Sequence, residues 1–352
     1  MPKAMESLNR GLAFLHGEKF DKAIAAFSEA LDIDPELMEA RYHRGVALAQ
    51  KNELDDAIAE FSEMIDRGMA ETEVYYSRGL AYHDLGKLEE AVADYTSTLE
   101  MAPDYVDAYI NRGYIYDELK ELDRAIADYS EAIRLDPDNA VAYVNRGISL
   151  ADQGRLEEAV DDYTQAIRLD PGTGGIYANR AGLYLQLNEP LRAAADYTQA
   201  IRLSPKDADL YYMRGTAYHQ LDQPDDAIAD FTEALRSNPE DIQAYVDRGL
   251  NYSVKLEFAR AIADFDAALS RQPDWAEVYT FRGLVYAASG DLDQALTDHT
   301  EAICLDPERP GAYLARGNIY RARGDQEMAD ADYRKAEELS KEEEQRQAEA
   351  EE

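Results

Sequence analysis

Over 352 residues the chain carries 72 acidic against 36 basic side chains. The resulting net charge of −36 opposes binding to nucleic-acid phosphates or to an anionic membrane surface, and favours basic proteins as partners. No run of 18 apolar residues is present to span a bilayer, the N-terminus lacks the apolar core of a signal peptide, and the lone Cys304 forbids an internal disulfide, which together predict a cytoplasmic protein.

An arginine followed by a small residue recurs every 34 residues from Arg10 to Arg316, in ten registers without insertion or deletion. Self-similarity at a fixed period marks a solenoid, here a single domain over residues 4–343 with repeats starting near 4, 38, 72, 106, 140, 174, 208, 242, 276 and 310. With the arginine as position 7 of 34, position 20 is alanine in every repeat, position 8 is glycine in nine, and position 27 is alanine in eight. Small residues there let two helices approach closely, while aromatic residues at positions 4, 11 and 24 fill the space beside them. Each repeat is broken near position 15 and again by proline at position 32 in eight of ten copies, so each reads as helix, tight turn, helix.

Along the chain, repeats one and two lack the position-4 tyrosine, carrying Ser7 and Arg41, as expected where little precedes them. The junction Asp66-Arg-Gly-Met-Ala70 lacks the loop proline, which predicts a different local angle. Of the tyrosines outside packing positions, Tyr42, Tyr76, Tyr105 and Tyr114 crowd into repeats two to four. Asn111, Asn145 and Asn179 occupy position 6 of three consecutive repeats. The stretch 170–175 is glycine-rich but lacks the lysine and strand of a phosphate-binding loop, and reads as a hinge. Trp275 and Phe281 form a second, weaker aromatic excess. In repeat ten the aliphatic positions 21 and 28 become Asp330 and Glu337, so no further repeat is expected to cover them, and residues 344–352 are predicted to form a charged C-terminal helical tail.

This pattern, as in Tyr143-Val-Asn-Arg-Gly147 followed by Ala159, Tyr163, Ala166 and Pro171, resembles the tetratricopeptide repeat family, in an arginine-glycine variant of a position where leucine is commoner. The resemblance implies an all-α, right-handed superhelical solenoid of ten helix-turn-helix repeats, with the first helix of each pair lining a concave groove. It also implies that positions 2, 5, 6, 9, 12 and 13 line that groove. Ten acidic residues stand there, Glu39, Glu73, Asp84, Asp107, Asp117, Glu118, Asp152, Asp209, Asp247 and Glu277, against one basic residue, Arg321. Positions 2, 5, 6 and 9 supply no lysine or arginine, so the carboxylate clamp that grips chaperone C-termini is not expected.

The invariant arginines face Asp or Glu at position 23 in nine repeats, and are read as architecture. Histidines are scattered, and no nucleophile and base stand at a meaningful spacing. No enzyme activity, metal or cofactor is therefore expected. The expected function is a protein-interaction scaffold that holds an extended or helical segment of a basic, partly apolar protein. Candidate contacts are Tyr42, Tyr76 and Tyr114 for apolar side chains, Asn111, Asn145 and Asn179 for main chain, and Asp84, Asp117, Glu118 and Asp152 for Lys or Arg. The asparagine row is similar to the ladder of the protein O-linked N-acetylglucosamine transferases, and equally to ordinary repeat consensus. The alternative is a self-associating structural scaffold without a peptide ligand.

Overall fold

In the computed structural model, which describes residues 2–68 and 71–350, the chain folds into twenty α-helices. They fall into two compact units, residues 1–171 and 172–352. The first unit contains α1 (Pro2–His16), α2 (Phe20–Ile33), α3 (Met38–Gln50), α4 (Leu54–Asp66), α5 (Thr72–Asp84), α6 (Leu88–Met101), α7 (Val106–Glu118), α8 (Leu122–Leu135), α9 (Ala140–Asp152) and α10 (Leu156–Leu169). The second contains α11 (Gly174–Gln186), α12 (Pro190–Leu203), α13 (Ala208–Gln220), α14 (Pro224–Ser237), α15 (Ile242–Val254), α16 (Phe258–Arg271), α17 (Ala276–Ser289), α18 (Leu292–Leu305), α19 (Pro310–Arg323) and α20 (Gln326–Ala350). Of the junction at 66–70, Met69 and Ala70 lie outside the described residues.

In nine of the ten pairs a ring at position 24 lies on the bare backbone of a glycine at position 8, the sixth repeat having Ala181 there. A Cβ added to Gly113 would stand 2.9 Å from the Tyr129 ring, and one added to Gly249 would stand 2.9 Å from Phe265. The alanines at position 20, such as Ala125 and Ala159, are fully buried between the same helices. The turn that reverses the chain has one backbone requirement: position 15 adopts a left-handed conformation in all ten repeats, with φ of 76° at Gly86 but also 60° at Lys120 and 59° at Leu256. Only four of these ten residues are glycine, so six turns accept a conformation that costs an L-residue about 1 kcal/mol.

The arginine at position 7 joins three helices. Arg146 on α9 grips Asp162 on α10 in a bidentate pair, with Nε–Oδ2 and Nη2–Oδ1 both 2.7 Å, while its Nη1 donates to Ser130 Oγ on α8 at 3.0 Å. Its Asp162 partner is buried, and the paired carboxylate holds the arginine pKa above its ordinary value. The same fork recurs at Arg78 with Asp94 and Ser62, at Arg112 with Asp128 and Thr96, and at Arg214 with Asp230 and Thr198. The tyrosines at positions 4 and 11 flank the guanidinium, with Tyr109 and Tyr116 centroids 5.8 and 5.9 Å from Arg112. Arg10, whose repeat has Ala26 at position 23, pairs with Glu29 and remains about half exposed.

One ring departs from the pattern. His299 occupies position 24 of the ninth repeat, fully buried against Gly283 with neither ring nitrogen bonded to a protein group. Burial, helped by the nearby Arg316 charge, lowers its pKa to about 4. Because the folded value lies below the ordinary 6.5, the unfolded chain takes the proton first as pH falls, and stability is lost between about pH 6.5 and pH 4.

Two expectations follow from these contacts. Asp162→Ala, which strands the Arg146 guanidinium, lowers unfolding free energy by about 3 kcal/mol in urea titrations, whereas Ser130→Ala lowers it by about 1 kcal/mol or less. His299→Phe, a ring that Gly215 and Gly249 already accommodate at Phe231 and Phe265, removes the titration. Between pH 7.5 and 5.5 the parent protein therefore loses about 1.5 kcal/mol more than the variant does.

Candidate functional site

Positions 2, 5, 9 and 13 of a helix stand three and four residues apart and share one face, opposite the arginine at position 7 that pairs with the second helix. In the first unit that face belongs to α3, α5, α7 and α9, which are stitched to one another by side chains. Tyr42 OH lies 3.1 Å from Ser77 Oγ, Asn111 Nδ2 donates to Tyr76 OH at 2.9 Å, and Ser149 Oγ donates to Asp117 Oδ1 at 2.7 Å. Position 5 of one repeat thus reaches position 6 of the next, a link that recurs in the second unit where Tyr212 OH donates to Asp247 Oδ2 at 2.8 Å.

These bonds sort the predicted residues. Tyr42 and Tyr76 are half-buried: Tyr42 leans on Phe61 and His43, and Tyr76 on Tyr95 and Tyr105, so they form the floor of the face more than free contacts. Burial, with Asp107 nearby, pushes the Tyr76 phenol up to about 12. Tyr114 is different, 46% exposed and standing edge-on to His83 at 5.5 Å. Asn111 spends one amide hydrogen on Tyr76, leaving its carbonyl oxygen available to a peptide N–H. Asn145, half-buried in the first unit, and Asn179, exposed in the second, belong to separate units.

The carboxylates divide in the same way. Asp117 is turned inward: Tyr129 OH donates to its Oδ2 at 2.8 Å, Ser149 to its Oδ1, and burial raises its pKa above the usual carboxylate range. Asp84, Glu118 and Asp152 are exposed at the C-terminal ends of α5, α7 and α9. Glu118 lies 3.6 Å from His83 Nε2, and Asp152 lies 3.6 Å from Lys120 Nζ. Glu39, Glu73 and Asp107 stand in the first turns of α3, α5 and α7.

Helix dipoles distinguish the two rows. Carboxylates in a first turn are stabilised by the positive end of the helix, so local energetics explain Glu39, Glu73 and Asp107. At the C-terminal end the dipole disfavours them by some tenths of a kcal/mol each, so Asp84, Glu118 and Asp152 stand against local preference. Seven of the ten acidic residues counted in the sequence lie in the first unit and three in the second, where burial raises the pKa of Asp247.

A cleft of about 580 Å³ opens beside Tyr42, walled by Met38, Met64 and Val74 and rimmed by Glu39, Glu71 and Glu73. Met64 stands where most repeats have alanine, and the sequence pattern marked this position without revealing a cleft. A larger recess of about 760 Å³ in the second unit, beside Arg309 and Arg346, involves none of the predicted residues. Trp275 and Phe281 are half-buried against the Phe265 cluster, which places them in the packing of their repeats. Among the described residues no group of three or more His, Cys, Asp or Glu side chains could hold a metal, and no helix is long and apolar enough to cross a membrane.

Models described as "Tetratricopeptide repeat" match residues 8–71, 76–140, 178–242 and 246–310, and further ones match 140–172 and 310–343. A tetratricopeptide repeat protein from Parabacteroides merdae superposes with a TM-score of 0.52 at 20% identity, over 71% of this chain and 99% of that one, and shows the shared helical repeat fold. YrrB, described as a TPR protein with an unusual peptide-binding site, gives a TM-score of 0.49 at 26% identity over 52% of this chain and 95% of its own. Pseudomonas aeruginosa pilF gives 0.48 at 19% identity, over 59% and 94%. No curated protein matches the chain.

The differing environments of the tyrosines have a measurable consequence. Tyr76→Ala costs about 3 kcal/mol because it opens a cavity over Tyr95 and frees Asn111, whereas Tyr114→Ala changes stability by less than about 0.5 kcal/mol. Urea unfolding of the two variants beside the parent checks both values.

Proposed function

The chain belongs to the tetratricopeptide repeat family, and from that premise we propose that it is a non-enzymatic scaffold whose first unit binds a segment of a basic, partly apolar protein on the face of α3, α5, α7 and α9. The observation that carries this reading is the row Asp84, Glu118 and Asp152, exposed at helix ends where the dipole disfavours carboxylates, beside the exposed ring of Tyr114. Charges kept against local preference serve a surface rather than a fold. Such a rim steers Lys and Arg by long-range attraction and gives an on-rate that falls with salt.

In this mechanism Tyr114 and the cleft beside Tyr42 take apolar side chains, the exposed carboxylates take ammonium or guanidinium groups, and the free carbonyl of Asn111 accepts from main chain. Asn145 and Asn179 extend the polar contacts within their own units. Asp117 contributes by holding α9 to α7 rather than by touching the partner.

Selection of a random peptide library on the purified chain tests the reading. Enrichment of sequences rich in Lys or Arg with interspersed aliphatic or aromatic residues is expected, with binding that weakens as salt rises and is lost in an Asp84→Asn, Glu118→Gln, Asp152→Asn variant of unchanged helicity. Enrichment of acidic peptides, or equal binding by parent and variant, would overturn it. A mass that grows with protein concentration in light scattering, with no peptide selected, would favour the self-associating scaffold instead.

A further inference from the structure

We propose that the ligand on the first unit is an amphipathic helix with an apolar stripe and basic residues along both flanks, lying across α3, α5, α7 and α9. This rests on the acidic-face reading above and narrows it to one geometry. The carboxylates of that face form two rows rather than one patch: Glu39, Glu73 and Asp107 at the N-terminal ends of the helices, and Asp84, Glu118 and Asp152 at the C-terminal ends. Glu73 and Asp84 stand at the two ends of the single helix α5, which separates the rows by about 16 Å. Between them the surface is mainly apolar, with Tyr76 and Leu80 half-buried and Tyr114 and Ile148 46% and 43% exposed. Its polar members are His83 beside Tyr114 and Asn111 beside Tyr76, whose free carbonyl can accept from an unpaired N–H in the first turn of such a helix.

That section, acid, apolar, acid, is the complement of a helix. An α-helix about 10–12 Å across with its side chains fits between rims about 16 Å apart, and three sectors of its surface meet three sectors of the site at once. An extended strand alternates its side chains between two directions, so it can address both rims or the floor but not all three. The rims are also chemically available. Among the described residues Glu39, Glu73, Asp84 and Asp107 form no ion pair, and the contacts of Glu118 and Asp152 with His83 and Lys120 are long, at 3.6 Å each. The stitching of α3 to α5 and α5 to α7 by Tyr42 and Tyr76 keeps the floor continuous beneath such a ligand.

The test uses two synthetic peptides of about 20 residues, some 30 Å long when helical. One carries leucines in a single stripe with lysines on both flanks, and the other has the same composition with the leucines spread around the helix. The striped peptide is expected to bind the full chain about tenfold more tightly than its isomer and to gain helical circular dichroism on binding. Two exposed-rim variants of unchanged helicity, Glu39→Gln with Glu73→Gln and Asp107→Asn, and Asp84→Asn with Glu118→Gln and Asp152→Asn, each weaken it about fivefold. Equal binding of the isomers, binding without gained helicity, or an effect of only one rim would overturn the helical ligand while leaving the acidic-face reading in place. Failure of both peptides to bind would overturn the two together.

Discussion

The bidentate pair between the position-7 arginine and the position-23 carboxylate is the contact on which the rest of the repeat depends. Its arginine directly precedes the glycine that admits the position-24 ring, and it turns one guanidinium nitrogen toward the previous repeat. An ion pair in such a place adds little net stability, since desolvation offsets much of the attraction. What it adds is intolerance of error, because any slip of one helix against another leaves a charge without its partner. The flanking tyrosines reinforce this by covering the guanidinium on two sides.

With register held on the inner side of the first helices, their opposite face is released from structural duty only in part. Position 5 still bonds to position 6 of the next repeat, and Asp117 is drawn in to serve Tyr129 and Ser149. What remains uncommitted is narrower than the list of residues on that face: a ring at Tyr114, the cleft beside Tyr42, and carboxylates at the helix ends. Recognition on this scaffold is therefore a matter of which side chains the fold leaves over.

Most of the fold was legible in the sequence because the same size-graded positions recur ten times, and because Arg146 and Asp162 carry opposite charge at a fixed separation. The third member of the fork was not legible, since Ser130 or Thr96 on a helix looks like any solvated hydroxyl until the arginine of the next repeat is placed beside it. The turn at position 15 was visible as a break through Gly86 and Gly154, but not as a left-handed residue at Leu256 or Lys120, whose side chains disfavour it. Within the candidate site, Tyr114 and Asp84 are exposed. The inward turn of Asp117 depends on a serine 32 residues further on, and the bond from Asn111 to Tyr76 spans 35. Both pairings lie beyond any local pattern.

The fork also gives the stack a polarity. Within each unit the arginine of a later repeat looks back to a hydroxyl or carboxylate on the repeat before it, as Arg44 does to Ser28, Arg146 to Ser130, Arg248 to Thr232 and Arg282 to Asp266. Losing a repeat from the C-terminal side leaves behind a hydroxyl, or at Asp266 an exposed carboxylate, that water can serve. Losing one from the N-terminal side leaves a half-buried cation short of an acceptor. Fraying is thus asymmetric by construction, cheaper from the C-terminal side of any given repeat than from its N-terminal side.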